Sequence, residues 1–351
     1  FGGIRLMAYS TIPKGSLYMN NVLWTGNNTA RTITGVNFQP DFTWIKSRTQ
    51  AYNYILTDVL RGTTKYLSSN TNTVETTDAQ TLTAFASDGF SIGTSNLVNQ
   101  NVQDHVAWNW KGGGTGSSNT EGSVTATVSA NQTSGFSIIK LTNPASGSYT
   151  VGHGLGVAPD MLMFKSLDGG NQSWFVLHKD LTSYTDRYLR LQESVAEVTY
   201  SMQTQVPTNS LLYLNSGGVG NGNAGLICYA FAGKQGFSKF GSYVGNGSTD
   251  GTFVYTGFSP AFVMIKEISD TGNWCMSDNK RDGYNPTKNL YADTTSVENT
   301  ANTVDHCSNG FKIRTTGGSV NTPGSNMIYM AFAENPFVAT SGTTAVPVTA
   351  R

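Results

Sequence analysis

Three near-identical heptads partition this chain. PDFTWIK at Pro40–Lys46 returns as PDMLMFK at Pro159–Lys165 and as PAFVMIK at Pro260–Lys266. The spacing around them recurs too: Pro40 stands 67 residues before Ala107-Trp108, and Pro159 and Pro260 each stand 71 residues before Ala230-Phe231 and Ala331-Phe332. An aromatic follows each motif lysine after eight or nine residues, at Tyr54, Trp174 and Trp274. A period of this size is too long for a solenoid repeat and matches a small domain. The chain must therefore fold as one structural idea used three times.

Each repeat reads as strands. The motif is a short apolar run entered through proline, a favoured place for a strand to begin. Further apolar runs, such as Ile227–Ala232 and Ile328–Phe332, are separated by Gly, Asn, Asp and Ser clusters such as GNGSTDGT at Gly245–Thr252. Many short strands joined by turn chemistry predict an all-β fold, here three tandem β-sandwich modules. The divisions expected are a lead-in over 1–20, a first module over 21–111, a Gly/Ser-rich linker over 112–122, a second module over 123–233, a third over 234–337, and a polar tail of low order over 338–351. The linker predicts a looser junction between the first two modules than between the last two. Short helical turns are expected near 180–184 and 277–281. The motif lysines Lys46, Lys165 and Lys266 read as strand ends at a module rim.

Composition narrows the function. Lys+Arg and Asp+Glu both number 22, so the net charge is zero, which argues against nucleic acid or an anionic membrane as partner. Charged residues make up 13%, about half the usual share, so neutral polar groups must cover the surface. No run approaches the roughly 18–20 apolar residues of a membrane span, and no signal-peptide pattern opens the chain. The chain begins at Phe1, while Met7 opens a plausible polar start, so either the chain is a fragment or the first six residues are an upstream extension. Cys228, Cys275 and Cys307 are an odd number; a Cys275–Cys307 bridge is possible, but free thiols and folding in a reducing cytoplasm are the expectation.

Several longer segments carry a family resemblance. TVGHGLGVAPDMLMFK (Thr150–Lys165), the stretch from Gly236 to Lys266, NWCMSDNKRDGYNP (Asn273–Pro286) and SNGFKIR with MIYMAFAENPF resemble a repeat module of tailed-phage structural proteins. The likeness spans nearly all of residues 21–337, and the first repeat departs from it by carrying TGVNFQP in place of the HGLG run. It implies a concanavalin A-like, jelly-roll sandwich and a virion protein of the tail-fibre, head-fibre or knob type, assembled in the host cytoplasm. The implied role is attachment to a host-surface polysaccharide, with other virion proteins as partners and a homo-oligomer, such as a trimer, as the assembly. Capsid decoration or fibre attachment without a receptor role is the alternative, and a glycan-cleaving enzyme a third reading.

A search for chemistry finds little that would make an enzyme. His105, His153, His178 and His306 occupy different repeat positions, without metal-ligand spacing. Asp58 and Asp278 align with His178, so no carboxylate recurs in all three copies, as a shared glycosidase site would need. Tyr54, Trp174 and Trp274 are the candidates for stacking on sugar rings, with repeat core as the competing explanation. His153, before Gly154-Leu155-Gly156, is a further ligand candidate or a turn cap. Asp278, Asn279 and Asp282 could offer oxygen ligands to Ca²⁺, although Lys280 and Arg281 lie among them.

Overall fold

The computed structural model describes residues 10–12, 14–281, 285, 287–336, 338–341 and 344–347. The chain is all-β, with four short helical turns among the described residues. Four antiparallel strands take the same spatial order in each repeat. In the first repeat Met19–Thr25 and the motif strand Phe42–Ser47 flank the closing strand Asp104–Trp110, and Ile55–Asp58 lies beyond the motif strand. Phe136–Thr142, Gly225–Phe231, Met161–Ser166 and Phe175–His178 reproduce that order. So do Ser238–Val244, Asn326–Pro336, Phe258–Glu267 and Cys275–Asp278.

A second layer of strands covers the outer face. Arg31–Thr34, Gly89–Ile92 and Leu82–Ala86 form it in the first repeat, and Ser148–Gly152 with Leu211–Asn215 in the second. In the third repeat Asn299–Cys307, Gly310–Ile313 and Phe253–Tyr255 continue the main sheet, which wraps nearly closed over eight strands.

Strand periodicity of two then creates two cores. Ile45 packs outward into the first repeat's own core, while Phe42 and Trp44 face inward and join a core shared by all three repeats. Both faces of the motif strands Phe42–Ser47 and Met161–Ser166 are consequently buried. At the centre Trp110, Phe231 and Phe332 meet, with ring centroids 6.4, 5.8 and 6.1 Å apart around the triangle. The three repeats are thus a compact cluster with pseudo-threefold character. Strand register corrects the sequence alignment here. Phe42, Met161 and Phe262 lie opposite Trp110, Phe231 and Phe332, so the equivalent of Phe231 is Trp110 and not Trp108. The alternating tryptophans of the first closing strand hid a two-residue offset.

Other expectations also change. The Gly-rich linker is ordered: Ser117–Asn119 pairs with Ala126–Asn131, and side chains from both flanks take its bare backbone groups. Ser129 Oγ accepts from Gly113 N–H and donates to the Gly114 carbonyl, and the Asp41 carboxylate accepts from Gly114 N–H. The lead-in contributes Ile12 to the shared core, and Gly15 comes so close to the Ala333 carbonyl that a Cβ there would overlap it. The polar tail contains a hairpin, Val338–Ser341 with Thr344–Pro347, which its Val and Thr content favours. The helical turns lie elsewhere than expected. Asn96–Asn99, Ser216–Val219 and Gly318–Val320 precede the three closing strands, whereas Cys275–Asp278 is a strand.

A core held in common should unfold in common. Urea denaturation followed by tryptophan fluorescence and by far-UV circular dichroism should give one coincident transition, and separate transitions would contradict the shared core. Trp110→Ala should lower the stability of the whole chain by about 3–5 kcal/mol.

Candidate functional site

The motif lysines lie at the junctions between repeats. Lys46, Lys165 and Lys266 are fully buried, because the strand alternation that turns Phe42 and Trp44 inward turns Lys46 inward as well. Each ammonium donates to a carbonyl of the neighbouring repeat. Lys46 Nζ reaches Thr295 O at 3.2 Å, Lys165 Nζ reaches Asn72 O at 2.9 Å, and Lys266 Nζ reaches Ser194 O at 3.1 Å. The first repeat thereby grips the third, the second grips the first, and the third grips the second. A second carbonyl, from Gln50, Gln172 or Glu267, completes each grip. The rim positions expected for these lysines are therefore replaced by buried ones. Burial lowers all three ammonium pKa values to about 8, since carbonyl dipoles only partly replace water.

The recurring aromatics follow the same cycle. Tyr54 donates its hydroxyl to Tyr291 O at 2.9 Å, Trp174 its indole N–H to Ser68 O at 2.9 Å, and Trp274 its indole N–H to Arg190 O at 3.0 Å. All three rings are buried in the shared core, so none presents a face to an external sugar, and their recurrence is explained by packing. Backbone pairs complete the ring: Glu75 N–H donates to Leu167 O, Glu197 N–H to Ile268 O and Glu298 N–H to Arg48 O, at 3.0, 3.0 and 2.8 Å.

Two buried ion pairs reinforce this ring. Asp58 binds Arg61, and its carboxylate also accepts from the Tyr229 hydroxyl of the second repeat at 2.7 Å. Asp278 binds Arg281 at 2.6 Å and accepts from the Trp108 indole of the first repeat at 3.0 Å. In the second repeat His178 stands at this position. Its Nδ1 accepts from Asp180 N–H and its Nε2 donates to Tyr329 O of the third repeat, at 3.2 Å each. One position thus spans three interfaces with two chemistries. Burial pushes the Asp278 carboxyl up, but the Arg281 charge and its donated hydrogen bond outweigh that and hold it below the ordinary carboxylate value. The Asp-x-x-Arg echo of Asp58–Arg61 in Asp278–Arg281 is legible in the sequence, and the structure gives Arg281 the role of ion-pair partner to Asp278.

The remaining candidates differ in how the protein engages them. Asp278 faces a guanidinium, Asn279 follows it at the strand end with its buried Oδ1 unpartnered, and Asp282 lies outside the described residues. Among the described residues no group of three or more His, Cys, Asp or Glu side chains converges. His153 caps its own turn: Nδ1 accepts from Leu155 N–H at 3.2 Å and Nε2 donates to Thr208 O at 3.1 Å. Gly154 and Gly156 supply the positive φ of +69° and +71° which that turn requires. Cys228, Cys275 and Cys307 are free thiols.

A cavity among the described residues is open to chemistry. It has a volume of about 330 Å³ and lies in the third repeat, walled by Cys275, Tyr291, Thr303 and the 315–320 loop. Its lining is neutral and rich in hydroxyl groups, and no motif in the sequence pointed to it.

Residues 14–336 match the family model described as a domain of unknown function, DUF7483. A search of the curated proteins found no match.

Two measurements probe the junctions. Asp278→Asn removes the nearer of the two carboxylates that face buried Arg281, leaving Glu298 at 3.3 Å, and should cost up to about 3 kcal/mol in chemical denaturation; an unchanged midpoint would show that the pair does not hold the interface. Burial also holds His105, His178 and His306 at about 4, below the ordinary 6.5. As pH falls the unfolded chain takes up these protons first, so stability should fall from pH 6.5 to 4. The lysines act in the same sense at higher pH. Their folded values lie near 8 against 10.5, so stability should rise as pH is raised above 8, and Lys165→Met should flatten that rise.

Proposed function

For this chain, which belongs to the DUF7483 family, we propose the role of a non-enzymatic virion protein that attaches the particle to a host-surface glycan. Three tandem jelly-roll, concanavalin A-like sandwiches closed into a ring would form a knob-type block, of the kind carried on a tail or head fibre. The observation that carries this reading is the use made of the recurring residues. The motif lysines and the aromatics after them are spent on joining the repeats, and the Asp58, His178 and Asp278 position is spent in the same way. What differs between repeats is the set of neutral, Gly/Asn/Ser/Thr-rich loops on the outside. A common frame carrying divergent loops suits recognition, whereas catalysis would need a retained group.

Closure of the ring within one chain supplies three loop sets at fixed separation, and oligomerisation of the whole chain would multiply them, so that weak contacts add up by effective concentration. Other virion proteins would hold the block in place. Capsid decoration is the second reading, favoured by the pseudo-threefold shape, which would seat well at a threefold position of a lattice. Particle imaging separates the two. Density at a fibre or tail tip supports attachment, and even placement over a capsid lattice replaces it with decoration. Purified chain should also bind host cells and be displaced by their polysaccharide without releasing new reducing ends; sustained release would make the protein an enzyme.

A further inference from the structure

The cavity of the third repeat lies where two positions are smaller than in the first repeat; at the second of them the second repeat is smaller still, with Gly218 before buried Val219. Ile55, Phe175 and Cys275 are equivalent by strand register, lying opposite Ile45, Phe164 and Ile265. Ile55 is buried in the first repeat's outer core, and Phe175 packs on that of the second. Cys275 is the smallest of the three. The second position is in the short helical turn before the closing strand, where buried Val98 and Val320 correspond and each precedes a buried asparagine, Asn99 or Asn321. Leu97 therefore corresponds to Ser319, and Leu97 packs on the apolar core that Ser319 leaves unfilled. An Ile and a Leu in the first repeat have become a Cys and a Ser in the third. Such a change leaves a void whose cost the fold must bear.

The character of the void limits what could enter it. Cys275, Tyr291, Thr303, Thr315, Thr316 and Ser319 line it, and no charged side chain does. Thr303 donates its hydroxyl to Asn289 Oδ1 at 2.9 Å and lies 3.7 Å from the Cys275 thiol, which leaves one lone pair of its oxygen to accept from a ligand. Behind it, Asn289 Nδ2 is a buried donor with no hydrogen-bond partner. Hydroxyl groups both donate and accept, so they complement a ligand that carries hydroxyls of its own. An anion or cation would lose hydration here without meeting an opposite charge. At about 330 Å³ the space is at the small end of ligand cavities, which run from about 300 to 1,000 Å³.

We infer that the third repeat holds a binding site for one neutral sugar residue in the cavity between Cys275, Thr303 and the 315–320 loop. This deepens the attachment reading and rests on it, since the sugar would be a terminal unit of the host glycan. The site belongs to one repeat only, so each chain would carry one such pocket.

Filling the pocket with the first repeat's own residues tests the inference. Saturation-transfer NMR of the full chain with glucose, galactose, mannose and N-acetylglucosamine at millimolar concentration should show contact with at least one of them. Cys275→Ile combined with Ser319→Leu copies Ile55 and Leu97 and should abolish that contact; because Ser319 Oγ accepts from Asn273 N–H at 2.7 Å, circular dichroism should show the variant folded. Thr315→Val, which only removes a hydroxyl, should weaken binding about tenfold and serves if the double variant fails to fold. No contact with any of the four sugars, or contact that survives filling, overturns the inference. Host-cell binding keeps the two ideas apart. If the filled variant still binds cells as the native chain does, the pocket is refuted and attachment stands. If the native chain binds a sugar in the pocket but no host cell, attachment fails and the pocket stands.

Discussion

Everything in this fold depends on the burial of one sheet face from each repeat against the other two. Trp110, Phe231 and Phe332 form the contact at its centre, and around them Phe42 stacks on Tyr229 at 4.3 Å while Trp108 meets Phe262 at 5.8 Å. Aromatic rings remove large areas from water and also prefer defined offset or edge-to-face geometries. A small sandwich standing alone would leave that face wet and its burial incomplete. The cluster solves this by letting each repeat serve as the others' solvent shield.

Apolar burial alone would not set the register of three similar faces. The polar contacts around the centre do that. A buried lysine, an aromatic donor and a backbone pair recur at each junction, always from the same position to the same position of the neighbour. Such groups lose hydration and regain it only when the junction closes correctly, so they contribute more to specificity than to net stability. The Asp58–Arg61 and Asp278–Arg281 pairs fit the same logic. Where the second repeat carries His178, the position donates across the interface instead of accepting. The contact was kept and its chemistry changed.

The tension between repetition and divergence also explains the cavity. Two positions that are apolar and filled in the first repeat are small and polar in the third, against the packing interest of that core. Departures from an otherwise consistent pattern are where function is most often found.

The sequence alone determined the triplication and the all-β class. These follow from local periodicity and turn chemistry, which a linear string carries in full. It also held the Asp-x-x-Arg echo. It could not say that Lys46, Lys165 and Lys266 are buried, because a lysine at a strand end is equally suited to a rim until a neighbouring carbonyl such as Thr295 O arrives from 249 residues away. Nor could it choose between core and sugar platform for Trp174 and Trp274, since an aromatic ring is the same residue in both settings. Only the tertiary structure decided these points, by bringing three faces together and leaving one space between Cys275 and Ser319 unfilled.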